Sequence, residues 1–109
     1  MSPDAKIGRW ECDLLQVDRL TWSEAVYDMF GFQRGQSVQR EEAVARYRDS
    51  SRELMERLRD YAIRQRHAFV LDAGIDPGGG GMPRWMRLIT IPIESDGNIV
   101  ALKGLKVWL

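Results

Sequence analysis

The sequence predicts an α+β fold in which an antiparallel sheet carries short helices on one face. Three observations support this prediction. Segments with the period-two alternation of strands lie at both ends of the chain, helical patterns lie between them, and an Asp-Gly pair joins the last two strand segments. The expected order is β-β-α-α-α-β-β-β, in one domain that covers residues 1–109.

The N-terminal part predicts two paired strands. In "GRWECDLL", residues 8–15, Trp10, Cys12 and Leu14 alternate with charged residues, which is typical of a half-buried strand. The segment "RLTW", residues 19–22, follows a short polar turn and is expected to pair back as the second strand.

The next segment predicts a short helix with a defined start and end. Ser23 is expected to cap it with its hydroxyl, and Trp22 is expected to pack against Tyr27 as a hydrophobic staple. Gly31 can adopt the left-handed conformation that ends a helix. The apolar residues of its inward face are Val26, Met29 and Phe30.

A weaker helical pattern at residues 38–46 precedes the longest predicted helix. That helix is expected to begin at the capping box "SSRE", residues 50–53, and to end at about Gln65. The predicted buried stripe consists of Leu54, Leu58, Tyr61 and Ala62.

The C-terminal part predicts three strands. They are "HAFVLDAGI", residues 67–75, "RWMRLITIPIE", residues 84–94, and "IVALKGLKVWL", residues 99–109. Four glycines between two prolines make residues 76–83 a flexible loop, and "SDGN", residues 95–98, contains the Asp-Gly of a tight hairpin.

The last two strands have apolar residues at both parities, so one set in each strand must point away from the helices. A large exposed apolar patch marks an interaction site. We therefore expect a homodimer through the outer sheet face, joined by the N-terminal residues before Gly8. The outward residues are expected to be Ile89, Ile91, Leu105 and Val107.

Composition excludes several classes of partner. Sixteen basic residues balance sixteen acidic ones, which leaves no electrostatic argument for binding nucleic acid or an anionic membrane. No apolar run approaches the ~20 residues that span a bilayer, so we expect no direct membrane contact. The one cysteine, Cys12, cannot form an internal disulfide, which favours a cytoplasmic location.

Taken in order, these motifs resemble a PAS domain of the branch with Gly-x-Trp-x-x-Asp, Trp-Ser and Arg-Trp motifs. The matching residues are Gly8, Trp10, Asp13, Trp22, Ser23, Phe30, Gly31, Phe32, Arg84, Trp85, Asp96, Gly97 and Gly104. The resemblance implies a five-stranded antiparallel sheet with short helices over one face and a ligand cavity between them. It also implies sensing or dimerisation within a histidine kinase, a cyclic-nucleotide signalling enzyme or a transcription regulator.

Several features depart from that family pattern. Tyr47 and Arg48 lie near the position where relatives often have His-Pro. The third strand retains Asp72 but lacks the usual arginine, and a glycine loop replaces the short hairpin before Arg84. The final "KVWL" lacks the Asp-Ile-Thr that commonly follows, which indicates a trimmed or diverged terminus.

The candidate ligand-binding residues are Trp22, Met29, Phe30 and Leu58, which either pack the core or line a cavity. No Ser-His-Asp set or pair of carboxylates on one face indicates catalysis, so we expect a domain that is not an enzyme. A single histidine, His67, cannot supply paired imidazoles for a metal, and Cys12 lacks the Asn-Cys-Arg-Phe context of flavin-attaching relatives. No particular cofactor is indicated.

The sequence thus predicts a sensory and dimerisation module of a bacterial cytoplasmic signalling protein, with a small ligand as one expected partner. An alternative is a structural spacer that only dimerises. A third reading, a small enzyme or carrier of the same shape, lacks recognisable catalytic groups.

Overall fold

The sheet has five antiparallel strands, and the helices lie on one of its faces, which confirms the predicted fold class. The computed structural model describes residues 6–78 and 80–109. Its strands are β1 (Ile7–Asp13), β2 (Arg19–Trp22), β3 (Phe69–Ile75), β4 (Arg84–Ser95) and β5 (Asn98–Trp108), and its helices are α1 (Glu24–Phe30), α2 (Arg40–Val44) and α3 (Asp49–Gln65). A short 3-10 turn, Leu14–Gln16, was not predicted, and it removes Leu14 from the first strand.

The strand order is β2-β1-β5-β4-β3, so the last strand lies at the centre of the sheet beside the first. Gly104 of β5 faces Trp10 on one side and Thr90 on the other. The β4–β5 hairpin turns at Asp96 and Gly97, whose φ values are 50° and 80°. Two consecutive left-handed residues form the turn that matches strand twist, which confirms the Asp-Gly prediction.

Helix α1 starts and ends where the sequence predicts, but the expected side-chain cap at its N-terminus is not formed. Gly31 has φ 75° and ends the helix, and the rings of Trp22 and Tyr27 are 5.2 Å apart in an edge-to-face contact. The Ser23 hydroxyl does not cap the helix and instead accepts a hydrogen bond from the Arg9 backbone N–H at 3.0 Å. Ser23 therefore joins the start of α1 to β1.

The predicted capping box of α3 is wrong. The helix begins at Asp49, and Arg48 occupies the capping position. Ser51 is buried, and its hydroxyl accepts a hydrogen bond from the Gly74 N–H at 2.8 Å. Ser50, the first residue of the expected box, lies inside the helix and so is not its capping residue, whereas the Ser51 hydroxyl serves tertiary packing with β3.

The buried face of α3 is also rotated from the predicted one. Leu54 and Tyr61 are 45 % and 50 % exposed, whereas Met55 is buried and Leu58 is partly buried. Ala62 is fully buried, as predicted. Apolar side chains occur on both of these helix faces, and the contact of Ser51 with β3 selects the face that packs.

The glycine loop is less independent than expected. The Gly78 N–H donates a hydrogen bond to the Phe30 carbonyl at 3.2 Å, and the Arg46 guanidinium fills the space beside Gly78. The loop is thus anchored to the end of α1 at one point. Residues 1–5, part of the predicted dimer segment, lie outside the described residues, as does Gly79.

Candidate functional site

A cavity of about 60 Å³ lies between the inner face of the sheet and helices α1, α2 and α3. Its walls are mainly aromatic and aliphatic. The apolar lining residues are Trp10, Cys12, Leu20, Trp22, Phe30, Ala43, Val44, Met55, Phe69, Leu88 and Leu102, and the polar ones are Arg40, Tyr47, Arg59, Thr90 and Lys106. An apolar wall with a few polar groups is typical of small-molecule sites.

Lys106 is the central polar group of this cavity. The inward parity of β5 buries it to 6 % exposure, and its Nζ donates a hydrogen bond to the Tyr47 hydroxyl at 3.0 Å. Its Nζ also lies 4.9 Å from the centre of the Phe30 ring and 5.1 Å from that of Trp10. Among the described residues that line the cavity, none is an aspartate or a glutamate. The ammonium is therefore held by aromatic faces and a phenol rather than by a carboxylate.

Burial changes the protonation of both members of this pair. Loss of solvent lowers the pKa of Lys106 to about 7, since an ammonium is costly to bury. Burial raises the pKa of Tyr47, so its phenol stays neutral. The Lys106 amine can consequently gain or lose a proton near neutral pH, and Tyr47 can accept from the charged form or donate to the neutral form.

Two further polar atoms beside Lys106 are buried without a hydrogen-bond partner within the described residues. They are Thr90 Oγ1 and the indole Nε1 of Trp10. Leaving such a group unpaired costs about 1–3 kcal/mol. Two residues that line the cavity thus carry buried polar atoms that the described part of the chain does not satisfy.

Two ion pairs connect the elements around the cavity. Arg40 of α2 pairs with Glu56 of α3, and Arg59 of α3 pairs with Asp18 at 2.9 Å. Both arginines line the cavity with side chains that are largely buried. Their charges are compensated at the rim, whereas that of Lys106 is not.

The structure brings together two of the four predicted ligand-binding residues. Trp22 and Phe30 line the cavity, with ring centres 5.2 Å apart. Met29 is fully buried but faces a surface groove beside the glycine loop. Leu58 is partly buried and packs against the core without lining the cavity.

Sequence reasoning missed Lys106, Tyr47 and Thr90 as cavity residues. The signal for Lys106 was present in the parity of β5, because Lys106 shares its parity with Leu102 and Gly104, on the face that packs against the helices. Tyr47 occupies the stretch that departs from the family pattern, and its side chain is buried in the core.

The outer face of the sheet carries the apolar residues expected there. Met86, Leu88 and Leu102 are buried on the inner face, so the alternate residues of β4 and β5 point away from the helices. We call the outward apolar residues the outer patch: Ile7, Val70, Trp85, Ile89, Ile91, Leu105 and Val107. Asp72 and Arg87 form a two-pronged ion pair beside them, at 2.8 and 3.0 Å.

Of the remaining candidates, Cys12 lines the cavity and His67 does not. Cys12 is buried as predicted, and burial, followed by the nearby Asp18 charge, raises the pKa of its thiol. His67 is exposed, and its ring stacks on Tyr61 at 5.4 Å. Residues 6–78 and 80–109 contain no cluster of three side chains able to hold a metal ion and no helix long and apolar enough to cross a membrane.

The fold is that of PAS and LOV domains of known structure. The N-terminal domain of a diguanylate cyclase with PAS/PAC sensor from Marinobacter aquaeolei has a TM-score of 0.81 and 15 % identity, over 94 % of each chain. The LOV domain of the Erythrobacter litoralis EL346 blue-light activated histidine kinase has a TM-score of 0.65 and 19 % identity, over 100 % of this chain and 98 % of that one. An RNA-binding light-oxygen-voltage receptor has a TM-score of 0.80 and 14 % identity, over 96 % of this chain but 30 % of the receptor.

No family model matches the sequence. No curated protein sequence matches it either. At the identities found, the likeness to solved structures establishes the fold and leaves the function to be argued from the cavity.

Proposed function

We propose that this chain is a PAS-type sensory module that binds a small molecule between its sheet and its helices and passes the resulting change to a signalling protein. The observation that carries the proposal is the cavity around Lys106. It combines aromatic walls, a buried amine with no carboxylate among its described lining residues, and unpartnered polar atoms. The domain binds and signals in this proposal and catalyses no reaction, and its single cysteine fits a reducing cytoplasm.

The energetics of Lys106 favour a sensor over a structural spacer. Replacing buried ionic groups by apolar side chains of similar volume often leaves a protein equally stable or stabilises it by about 1–4 kcal/mol. A spacer would therefore gain by having leucine or methionine at this position. A buried lysine, together with buried polar atoms that have no partner among the described residues, supports a role in recognition.

The sensory role is tested by screening a small-molecule library against the chain with ¹H–¹⁵N NMR. We expect at least one compound to shift the amides of residues around the cavity in a saturable way. Thr90→Ile, which fills the cavity and removes the unpaired hydroxyl, should abolish that response. Thr21→Ile, an exposed position at the sheet edge, is the matched control and should retain it.

Native mass spectrometry and an absorption spectrum of the purified chain complete this test by detecting any molecule retained from the cell. If no compound acts at the cavity and none is retained, the spacer function replaces the sensory one.

Dimerisation is the second part of the proposal, and the outer patch supports it. The patch spans β1, β3, β4 and β5, and Ile91 is 47 % exposed within it. A specific dimer buries roughly 1,200–2,000 Å² in total, and four neighbouring strands offer a surface of that order. A second copy of the chain is the proposed occupant, since two copies related by a two-fold axis can pair the same apolar strands face to face.

A further inference from the structure

The hydrogen-bonding groups of the cavity are dominated by donors. A charged Lys106 has three N–H groups, and Tyr47 accepts one of them. The Thr90 hydroxyl and the Trp10 indole N–H bring two more donors, both without a partner in the described structure. A ligand that completes this arrangement must supply acceptor oxygens.

The charges point to an anion. The titratable and charged groups around Lys106 are Cys12 of β1, Tyr47, Arg40 with Glu56, and Arg59 with Asp18. The arginines are neutralised by their own partners, so Lys106 supplies the uncompensated charge. Helix α1 adds the Phe30 ring, which favours the ammonium but does not neutralise it.

The size and walls restrict the anion further. A cavity of about 150 Å³ holds benzene, and this one measures about 60 Å³. At about two fifths of that volume, the cavity restricts the ligand to a few heavy atoms, and propionate, with five, requires a small movement of the walls. The lining also includes apolar side chains such as Leu20 and Trp22, which favour a ligand with a hydrocarbon end over a phosphate with oxygens on every side.

We infer that the cavity accepts a short-chain monocarboxylate, with its carboxylate on Lys106 and its hydrocarbon end on the aromatic wall. This inference rests on the proposed ligand-binding function and specifies its ligand class. The two carboxylate oxygens accept from the Lys106 ammonium and from the neighbouring Thr90 and Trp10 donors. Tyr47 holds the ammonium in place from its other side.

The test titrates the 109-residue chain with sodium propionate and observes cavity amides by ¹H–¹⁵N NMR. Propionamide has the same shape without the charge, and inorganic phosphate has the charge without the hydrocarbon. We expect propionate to bind at least about tenfold more tightly than either, since hydrogen bonds to charged groups are the stronger ones.

Matched variants locate the effect. Lys106→Met should weaken propionate binding at least about tenfold, whereas Lys103→Met, an exposed lysine on the other face of β5, should leave it unchanged. Thr90→Val retains the lysine and removes one donor, so it should weaken binding by a smaller factor. Because Thr90→Val leaves Lys106 in place, it still tests the assignment if Lys106→Met changes the packing of the cavity.

The pH dependence supplies an independent readout. An anion binds the protonated amine, so affinity should be constant just below neutral pH. Above pH about 7, binding must take up one proton, and the affinity should fall by about tenfold per pH unit.

The outcomes separate this inference from the proposed function. Equal affinities for propionate and propionamide, or binding that Lys106→Met leaves intact, overturn the carboxylate assignment while ligand binding stands. If propionate does not bind but another library compound occupies the cavity, the carboxylate assignment is likewise overturned while ligand binding stands. Failure of every compound overturns the proposed sensory function itself.

Discussion

The two faces of β5 each carry residues that the usual pattern of a half-buried strand would place on the other face. Its inner face places Lys106 in the protein interior, and its outer face places Leu105 and Val107 away from the helices. A sheet with one solvated face normally buries its apolar residues and exposes its polar ones. Lys106, Leu105 and Val107 depart from this pattern, and these departures are the observations behind the two binding roles proposed above.

The two faces should respond differently to substitution. Inner positions are packed between sheet and helices, so changes there act on the free energy of unfolding of a single chain. Outer positions make few contacts within one chain, so changes there should act on association. The following predictions separate these effects, from the largest to the smallest.

Phe30→Ala should have the largest effect. Phe30 is fully buried and packs on Trp22 and Tyr47, so truncation should lower the free energy of unfolding by roughly 3–5 kcal/mol. Urea melts measure this loss. Leu54→Ala on the exposed face of α3 is the control, and we expect a change within about 0.5 kcal/mol. A loss below about 1 kcal/mol for Phe30→Ala would contradict its place in the core.

Lys106→Met should stabilise the protein, and the gain should depend on pH. Between the folded pKa of about 7 and the ordinary value of 10.5, the unfolded chain binds a proton that the folded chain does not. Wild-type stability therefore rises with pH across this window, and the penalty for burying the charge is fully present below it. The gain from methionine should be roughly 2–4 kcal/mol at pH 6 and shrink towards pH 10.

Urea melts of both proteins across this pH range measure the difference, and Lys103→Met should show no such trend. A Lys106→Met protein that is less stable than the wild type at pH 6 would indicate that the amine contributes to folding rather than opposing it.

Ile91→Glu and Val107→Glu should act on association. We expect the wild-type chain to sediment as a dimer at micromolar concentrations and each variant to sediment as a monomer, with unfolding free energies within about 1 kcal/mol of the wild type. Thr21→Glu, on the same face at the sheet edge, should remain dimeric. A wild-type chain that stays monomeric, or variants that unfold, would remove the outer patch as an interface.

Asp72→Asn should have the smallest effect on the single chain. The Asp72–Arg87 pair is exposed, and such pairs contribute little because water and salt screen them. Unfolding midpoints in urea should coincide with those of the wild type. The same substitution should weaken the dimer measurably by sedimentation, because a second copy would cover the pair and leave Arg87 without its partner. Unchanged dimer affinity would place the interface elsewhere on the sheet.

Much of the fold was predictable because its determinants are local. The strand periods, the Gly31 stop of α1 and the Asp-Gly turn of the β4–β5 hairpin depend on neighbouring residues alone. The parity of β4 and β5 also predicted the outward direction of Ile89, Ile91, Leu105 and Val107, four of the residues of the outer patch. Trp22 and Phe30 line the cavity, and their inward position was predictable from the apolar face of α1 and the staple at its start; their part in ligand binding stays a prediction.

The sequence by itself determined the elements, their order and the two faces of the last strands. Only the tertiary structure decided which side of α3 is buried, which amides the Ser23 and Ser51 hydroxyls satisfy, and that Lys106 lies inside. The reason is physical. Sequence periodicity shows that the two faces of an element differ. The backbone amide that a serine hydroxyl bonds, however, depends on which amide the tertiary packing places next to it. A lysine side chain is normally exposed to water, and it is buried only where surrounding aromatic rings and a phenol can interact with its amine. These neighbours come from distant parts of the chain, so no local sequence pattern reveals them.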